Sequence, residues 1–301
     1  MEVSKAIKKI KKERNALILA HFYQLGEIQD IADVVGDSLE LAKAARDAKE
    51  DVIVFCGVRF MAETAKILNP KKTVLLPALD AGCPMADMIT AEEVLRLKEE
   101  HPNAAVMCYV NSDVAVKAVS DICCTSSNAL KIAMSLKEEE IIFVPDQCLG
   151  GYIAQFLPQK RFILPDGFCP THCRIKPEDV LAARKAMPNA KVLVHPECMP
   201  GVVSLADFAG STSQIIAEAV RSDAKEFLIG TEEGVLHRLS KLCPDKRFYN
   251  TGRTQVCPNM KKTRLDSVLH ALEEMQHEIV VDEELAKKAL NSLERMFSVP
   301  V

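Results

Sequence analysis

The chain repeats itself at intervals of 88 and 86 residues, so its fold must be one that can be laid down three times. Asn15-Ala16 opens an apolar run ending at His21, Asn103-Ala104 a second ending at Tyr109, and Asn189-Ala190 a third ending at His195. The same spacings relate Asp33, Asp121 and Asp207, and also Ser38, Ser126 and Thr212, while Pro77 corresponds to Pro165. Cys83, Cys169 and Cys257 correspond with the intervals reversed to 86 and 88, and each is followed by a proline (Pro84, Pro170, Pro258). The reversal marks short insertions at different places in diverged copies of one unit.

Each copy spells the same order of elements. A run rich in strand formers (16–21, 105–109, 192–195) leads through a loop and a short helical stretch to a second short strand. That strand ends in a small polar cluster: Gly36-Asp37-Ser38, Thr125-Ser126-Ser127 or Gly210-Ser211-Thr212. A helix follows (39–48, 128–136), then a third strand (52–57, 141–144, 227–230), a helix, and a fourth strand (73–77, 161–165, 247–249). The apolar runs are continuous rather than alternating, as in strands covered on both faces. Strands alternating with helices imply parallel sheets with right-handed crossovers. Helices over 91–100 and 178–186 join successive copies, one over about 264–275 takes the same place after the third, and 282–297 reads as a final amphipathic helix. We expect an α/β fold of three pseudo-symmetric α/β/α repeats, each with a short parallel four-stranded sheet, around one central site. The expected divisions are repeat one at 1–84, repeat two at 85–170, repeat three at 171–258, and C-terminal helices at 259–301 packing on the repeats.

The rest of the sequence narrows the function. Its net charge is −4, with acids and bases interspersed, which points away from nucleic acid and from anionic membranes as partners. Residues 1–14 are lysine-rich and amphipathic without the features of a signal peptide, and no apolar run approaches the roughly 20 residues of a membrane helix. A cytoplasmic location is expected. The eleven cysteines are odd in number and scattered, which argues against a disulfide scaffold. They are either small buried hydrophobes or thiolate ligands.

Ligands of open parallel sheets sit beyond the carboxyl ends of the strands. There stand His21, Tyr109 and His195, and after the second strands Ser38, Ser126 and Thr212. Three units about a pseudo-threefold axis direct all six at one cavity and bring one cysteine each to that axis. Each Cys-Pro is either a structural turn repeated by descent or a ligand. Three converging thiolates repel one another without a cation; zinc accepts three thiolates, but a ring lacking an obvious fourth ligand favours a [4Fe–4S] cluster with one iron open. Cys56, Cys108, Cys123, Cys124, Cys148 and Cys243 read as core residues, whereas Cys173 and Cys198 lie near site motifs and either is a conceivable fourth cluster ligand. The hydroxyls precede helices, as N-caps do, and helix N-termini also suit anions. The sequence contains no GxGxxG or GxxxxGK[ST] fingerprint, which argues against NAD or ATP as cofactor. His21, Tyr23, Tyr109, His195 and Glu197 are the acid–base candidates, with His172 as a substrate or supporting contact.

At these residues the chain resembles the quinolinate synthase (quinolinate synthetase A) family. The resemblance runs through Ala20-His21-Phe22-Tyr23-Gln24, Gly36-Asp37-Ser38, Gly82-Cys83-Pro84-Met85-Ala86-Asp87-Met88 and Tyr109-Val110-Asn111-Ser112. It continues through Cys124-Thr125-Ser126-Ser127-Asn128, Cys169-Pro170-Thr171-His172, His195-Pro196-Glu197-Cys198, Gly210-Ser211-Thr212 and Cys257-Pro258-Asn259-Met260-Lys261. It implies condensation of iminosuccinate with dihydroxyacetone phosphate to quinolinate, with release of phosphate and water, on the route to NAD. It also implies Cys83, Cys169 and Cys257 as cluster ligands, with an open iron acting as Lewis acid. His21, Ser38, Tyr109, Asn111, Ser126, His195, Glu197 and Thr212 match substrate-binding positions, and Val110, His172, Pro196 and Ser211 in the same motifs are expected to bind substrate with them. Tyr23 matches a proton-transferring tyrosine, and His195 and Glu197 join it as expected catalytic residues. An upstream aspartate-oxidising enzyme is the implied source of the imine. Many family members carry a second cysteine where this chain has Thr254, so thiol–disulfide control built on that pair is expected to be absent. The alternatives are another three-cysteine iron–sulfur enzyme on a trefoil α/β fold, or a zinc-stabilised binding protein without catalysis.

Overall fold

The computed structural model of the protein describes residues 2–253 and 255–299, so Thr254 lies outside the described residues. Among the described residues twelve strands form three sheets. The first contains β1 (Ala16–His21), β2 (Val34–Gly36), β3 (Val52–Cys56) and β4 (Thr73–Leu75). The second contains β5 (Ala105–Tyr109), β6 (Ile122–Cys124), β7 (Glu140–Val144) and β8 (Arg161–Ile163). The third contains β9 (Lys191–Val194), β10 (Phe208–Ala209), β11 (Glu226–Gly230) and β12 (Arg247–Asn250). Their orders are β2-β1-β3-β4, β6-β5-β7-β8 and β10-β9-β11-β12, one topology three times. Every pairing within them is parallel. The inner strands explain the unbroken apolar runs, for every residue of β3 and β5 is buried, as helices on both faces require.

The recurring aspartate closes each unit. The second strands have only two or three residues and need support beyond their own ladder. Ile18 N–H donates to Asp33 Oδ2 at 2.8 Å, and Val106 N–H to Asp121 and Val192 N–H to Asp207, each at 2.7 Å. The N–H of each aspartate returns a bond to the carbonyl of that same strand residue, at 2.9, 3.0 and 2.9 Å. This two-way clamp sets the register in which the second strand starts, and with it the position of the polar cluster at the strand's end.

Units one and three meet where Gly234, in the loop after β11, lies against Phe22 and Tyr23. A Cβ there would stand 2.8 Å from the Phe22 carbonyl oxygen and the Tyr23 backbone, so a larger residue would force the loops apart. The Gln29 amide fastens the junction, reaching the carbonyls of Phe22, Gln24 and Gly234 at 2.9–3.0 Å. Outside the sheets, helix Glu2–Glu13 contributes Ile7, and helix Leu265–Glu274 contributes Val268, Ala271 and Leu272, to one core against β1 and β3. The last helix, Glu283–Ser298, buries Ala289, Leu293 and Met296 in the core around the second sheet. Among the described residues no helix is long and apolar enough to cross a membrane.

The clamp gives a direct expectation. Asp207→Ala leaves the Val192 N–H without its charged acceptor and should lower stability by about 1–3 kcal/mol, read by denaturant unfolding. A change inside about 0.5 kcal/mol, the ordinary range for a surface substitution, would remove the clamp's role.

Candidate active site

His21 is the last residue of β1, Tyr109 the last of β5, and His195 follows β9 directly. The parallel sheets therefore deliver all three to one cavity, which Ser38, Ser126 and Thr212 also line. Tyr23, Asn111 and Glu197, each two residues beyond a strand-end residue, join them, as do His172, Cys83, Cys169 and Cys257. Three residues carried over from the motifs lie elsewhere. Val110 is buried in the core, Pro196 lines a separate groove between units two and three, and Ser211 caps a helix.

The hydroxyls are not the caps. Helix Ser38–Arg46 is capped by Asp37, which accepts from Leu39 N–H and Glu40 N–H at 3.0 Å, and helix Thr212–Arg221 is capped by Ser211. Helix Ala129–Ser135 follows Asn128, whose Oδ1 accepts from the Thr125 N–H at 2.7 Å. The cap thus falls one residue before Ser38 and Thr212 and two beyond Ser126, which frees those hydroxyls to face the cavity. The capping residues interlock behind them. Ser127 donates to Asp37, Ser213 donates to Asp37 Oδ2 at 2.6 Å, and the Ser127 and Ser211 hydroxyls lie 2.9 Å apart. Polar groups from all three units are joined there, and the donors around Asp37 spread its charge.

The two histidines are fixed as donors. Tyr23 N–H donates to His21 Nδ1 at 3.1 Å, and Glu197 N–H donates to His195 Nδ1 at 3.2 Å. An Nδ1 that accepts leaves the ring proton on Nε2. Burial holds both imidazoles neutral, lowering each from 6.5 to about 4 against the opposing pull of Glu197 and Asp37. His195 Nε2 lies 3.3 Å from Ser126 Oγ.

Glu197 is the fixed charge of the site. Burial pushes its carboxyl up, but His195, His172 and hydrogen bonds from His172 and Tyr109 outweigh it and hold the group well below the usual carboxylate range. Tyr109 O–H donates to Oε1 at 2.5 Å, and His172 Nδ1 lies 2.8 Å from Oε2. On the far side of His172, Nε2 lies 2.8 Å from Thr231 Oγ1, which is 2.7 Å from the Tyr23 hydroxyl; that hydroxyl is also 2.8 Å from Thr212 Oγ1. His172 thus stands between Thr231 and Glu197, with Cys169 Sγ also 3.1 Å from its Nδ1. The result is a continuous run of polar contacts from Tyr23 through Thr231 and His172 to Glu197. Burial, and next to it the Glu197 charge, raises both tyrosines well above 10.0, so both phenols keep their protons as donors.

Several of these residues escape the motifs. Asp146 and Glu232 follow the third strands at positions equivalent to Val58, at the same 88 and 86 spacings. The repeat therefore pointed to Asp146 and Glu232. Glu232 is fully buried, pairs with Lys261 at 2.8 Å, and accepts the Cys257 N–H at 3.0 Å; Lys261 also donates to the Tyr23 carbonyl at 2.6 Å. Thr231, one residue earlier, and Arg174, exposed on the cavity lining, carry no repeat signal. Asn111 Oδ1 is buried without a hydrogen-bond partner among the described residues, an acceptor left open at the cavity.

The expected cluster requires correction. Cys83, Cys169 and Cys257 all line the cavity, but among the described residues the donor atoms that close to within 4.8 Å of one another are those of Cys169, His172 and Glu197. That group holds one cysteine rather than three. The Cys169 sulfur lies 3.1 Å from His172 Nδ1. Burial pushes the Cys83 thiol up to about 12 and raises those of Cys169 and Cys257. A [4Fe–4S] cluster with three cysteine ligands and one open iron is not the donor set that the structure assembles. One sulfur, one nitrogen and one oxygen match the donor types of a single zinc-like ion, and these three already satisfy one another.

A family described as Quinolinate synthetase A protein matches residues 5–298. The quinolinate synthase of Alkaliphilus metalliredigens (strain QYMF) is 56% identical over 293 residues, covering 97% of each chain. That of Caldicellulosiruptor saccharolyticus is 53% identical over 298 residues, covering 99% of this chain and 98% of its own. That of Clostridioides difficile (strain 630) is 53% identical over 290 residues, covering 96% and 95%.

The capping pattern separates neighbouring residues. Ser211→Ala should cost about 0.5–2 kcal/mol of stability as a lost N-cap, and Ser126→Ala should cost less while weakening substrate binding; calorimetry of both variants checks this. For His21, the unfolded chain takes up its proton near 6.5 and the folded chain only near 4. Its stabilising effect is therefore complete above 6.5 and lost as pH falls toward 4, on the order of 3 kcal/mol. Unfolding free energies across that range should fall less steeply for His21→Gln than for the unaltered protein, and parallel slopes would contradict the assignment.

Proposed function

From the premise that this chain belongs to the quinolinate synthetase A family, we propose that its central cavity is where quinolinate is assembled. The chain is a condensing and dehydrating enzyme of NAD biosynthesis. The observation that carries the assignment of the site is the run of polar contacts from Tyr23 through Thr231 and His172 to Glu197, on the wall of a cavity lined by all three repeats.

The proposed substrates, iminosuccinate and dihydroxyacetone phosphate, bring two carboxylates and a phosphate. Neutral donors suit them in a site that already contains an ionised glutamate. The Nε2–H groups of His21 and His195 and the hydroxyls of Ser38, Ser126 and Thr212 are such donors, and the open Asn111 acceptor fits an N–H or hydroxyl of the substrate. Arg174 is the cation on the lining, suited to phosphate.

The reaction must remove a proton from the carbon of the imine that forms the new bond, and must return protons to the hydroxyls that leave as water. Glu197, held ionised, is the accepting end of this run; Tyr23, held protonated, is the donating end. Acid and base thus face the same cavity, with Thr231 and His172 held between them. Tyr109 keeps the carboxylate oriented throughout.

Supplied with dihydroxyacetone phosphate and with imine from an aspartate-oxidising enzyme, the purified protein should form quinolinate. Glu197→Gln and Tyr23→Phe should each lower kcat/KM by about 10²–10⁴-fold, the usual contribution of a positioned acid or base. Full activity in both variants would reject these roles.

A further inference from the structure

Away from the cavity, three sulfur atoms converge from three separate segments. Cys148 lies in the first turn of helix Gln147–Ala154, whose cap Asp146 accepts the Leu149 N–H at 2.7 Å. Cys173 ends the short helix Pro170–Cys173, and Met199 immediately precedes helix Pro200–Val203. Cys148 Sγ is 3.9 Å and Cys173 Sγ 3.7 Å from Met199 Sδ, so both thiols meet at the thioether.

We propose that Cys148, Cys173 and Met199 form a binding site for a monovalent thiophilic metal ion, with copper(I) as its occupant. The spacing supports this. Three sulfurs around one ion at about 2.3 Å stand roughly 4.0 Å apart in a trigonal plane, close to the two distances present before any ion enters. The donor types point the same way, since two thiols and a thioether select copper(I) over magnesium, calcium or manganese, which prefer oxygen. Accessibility is also suitable. Cys148 is 7% exposed and anchors the site from within, while Met199 is 42% exposed and Cys173 partly so, which leaves an entry path.

Binding replaces two thiol protons, which pass to solvent, with one copper(I), and leaves a site of net charge −1. Cys173 adjoins His172, and Met199 lies two residues beyond Glu197. An ion held by the trio therefore ties together the two segments that carry the ends of the central His172–Glu197 bond, without touching the cavity.

The test is an anaerobic competition, in the presence of a thiol-free reductant, between the full-length protein and a chromophoric copper(I) chelator such as bicinchoninate. Cys173→Ser, Cys148→Ser and Met199→Leu are compared with the unaltered chain, so uptake by the other cysteines cancels in the difference. The expected result is one fewer tightly held copper(I) equivalent in each serine variant. Met199→Leu should retain the stoichiometry with affinity for that equivalent at least ten-fold weaker. The Cys173 variant alters a partly exposed position and the Met199 variant an exposed one, and they keep the test decisive if Cys148→Ser folds poorly. Equal stoichiometry and affinity in the unaltered protein, Cys173→Ser and Met199→Leu would overturn the proposal.

Discussion

The carboxylate of Glu197 is buried, and the arrangement around it follows from the cost of keeping a charge there. A buried ion with no partner costs several kcal/mol, and it is tolerated only where donors are already in place. Here the donors arrive from different parts of the chain: Tyr109 from the end of β5 in the second sheet, and His172 from the short helix that begins at Pro170. Neither is local to Glu197. The bond from Tyr109 thus joins units two and three at the cavity, much as Gly234 and Gln29 join units three and one at its side.

A repeated fold would by itself give a symmetric pocket, and a symmetric pocket has no direction. Direction comes from divergence at equivalent positions. Two residues beyond the first strand of each unit stand Tyr23, Asn111 and Glu197: a phenol, an amide and a carboxylate. At the strand ends stand His21, Tyr109 and His195. The backbone does the same thing in units one and three, where the N–H two residues on caps the histidine's Nδ1. In the second unit the tyrosine instead reaches across to the carboxylate. The same scaffold thus places a proton donor at one end and an acceptor at the other.

The three sheets were readable from the 88- and 86-residue spacing because parallel strands buried on both faces leave unbroken apolar runs, and β1 and β5 begin and end where those runs do. The residues lining the cavity were readable for the same reason, since strand ends in this topology share one side. Capping was less readable. Asp37 and Ser38 are both good cap residues, and only the backbone turn decides that Asp37 accepts from the helix while Ser38 faces the cavity. The cysteines misled. Their spacing shows that they share a cavity, but spacing along a chain does not fix how closely side-chain sulfurs approach, and Cys169 meets His172 and Glu197 instead. Thr231 was invisible because its role depends on two partners, Tyr23 and His172, more than fifty residues away.

The central claim is that Glu197 is ionised inside the protein because Tyr109 and His172 hold it so. Isotope-edited infrared difference spectroscopy between the unaltered protein and Glu197→Gln measures this directly. At a pH near the ordinary glutamate value of about 4.3, the spectrum should show a carboxylate stretch at Glu197 and no carbonyl band of a protonated acid. In Tyr109→Phe the carboxylate band should shift as one donor is lost. A protonated-acid band from Glu197 in the unaltered protein at that pH would contradict the account.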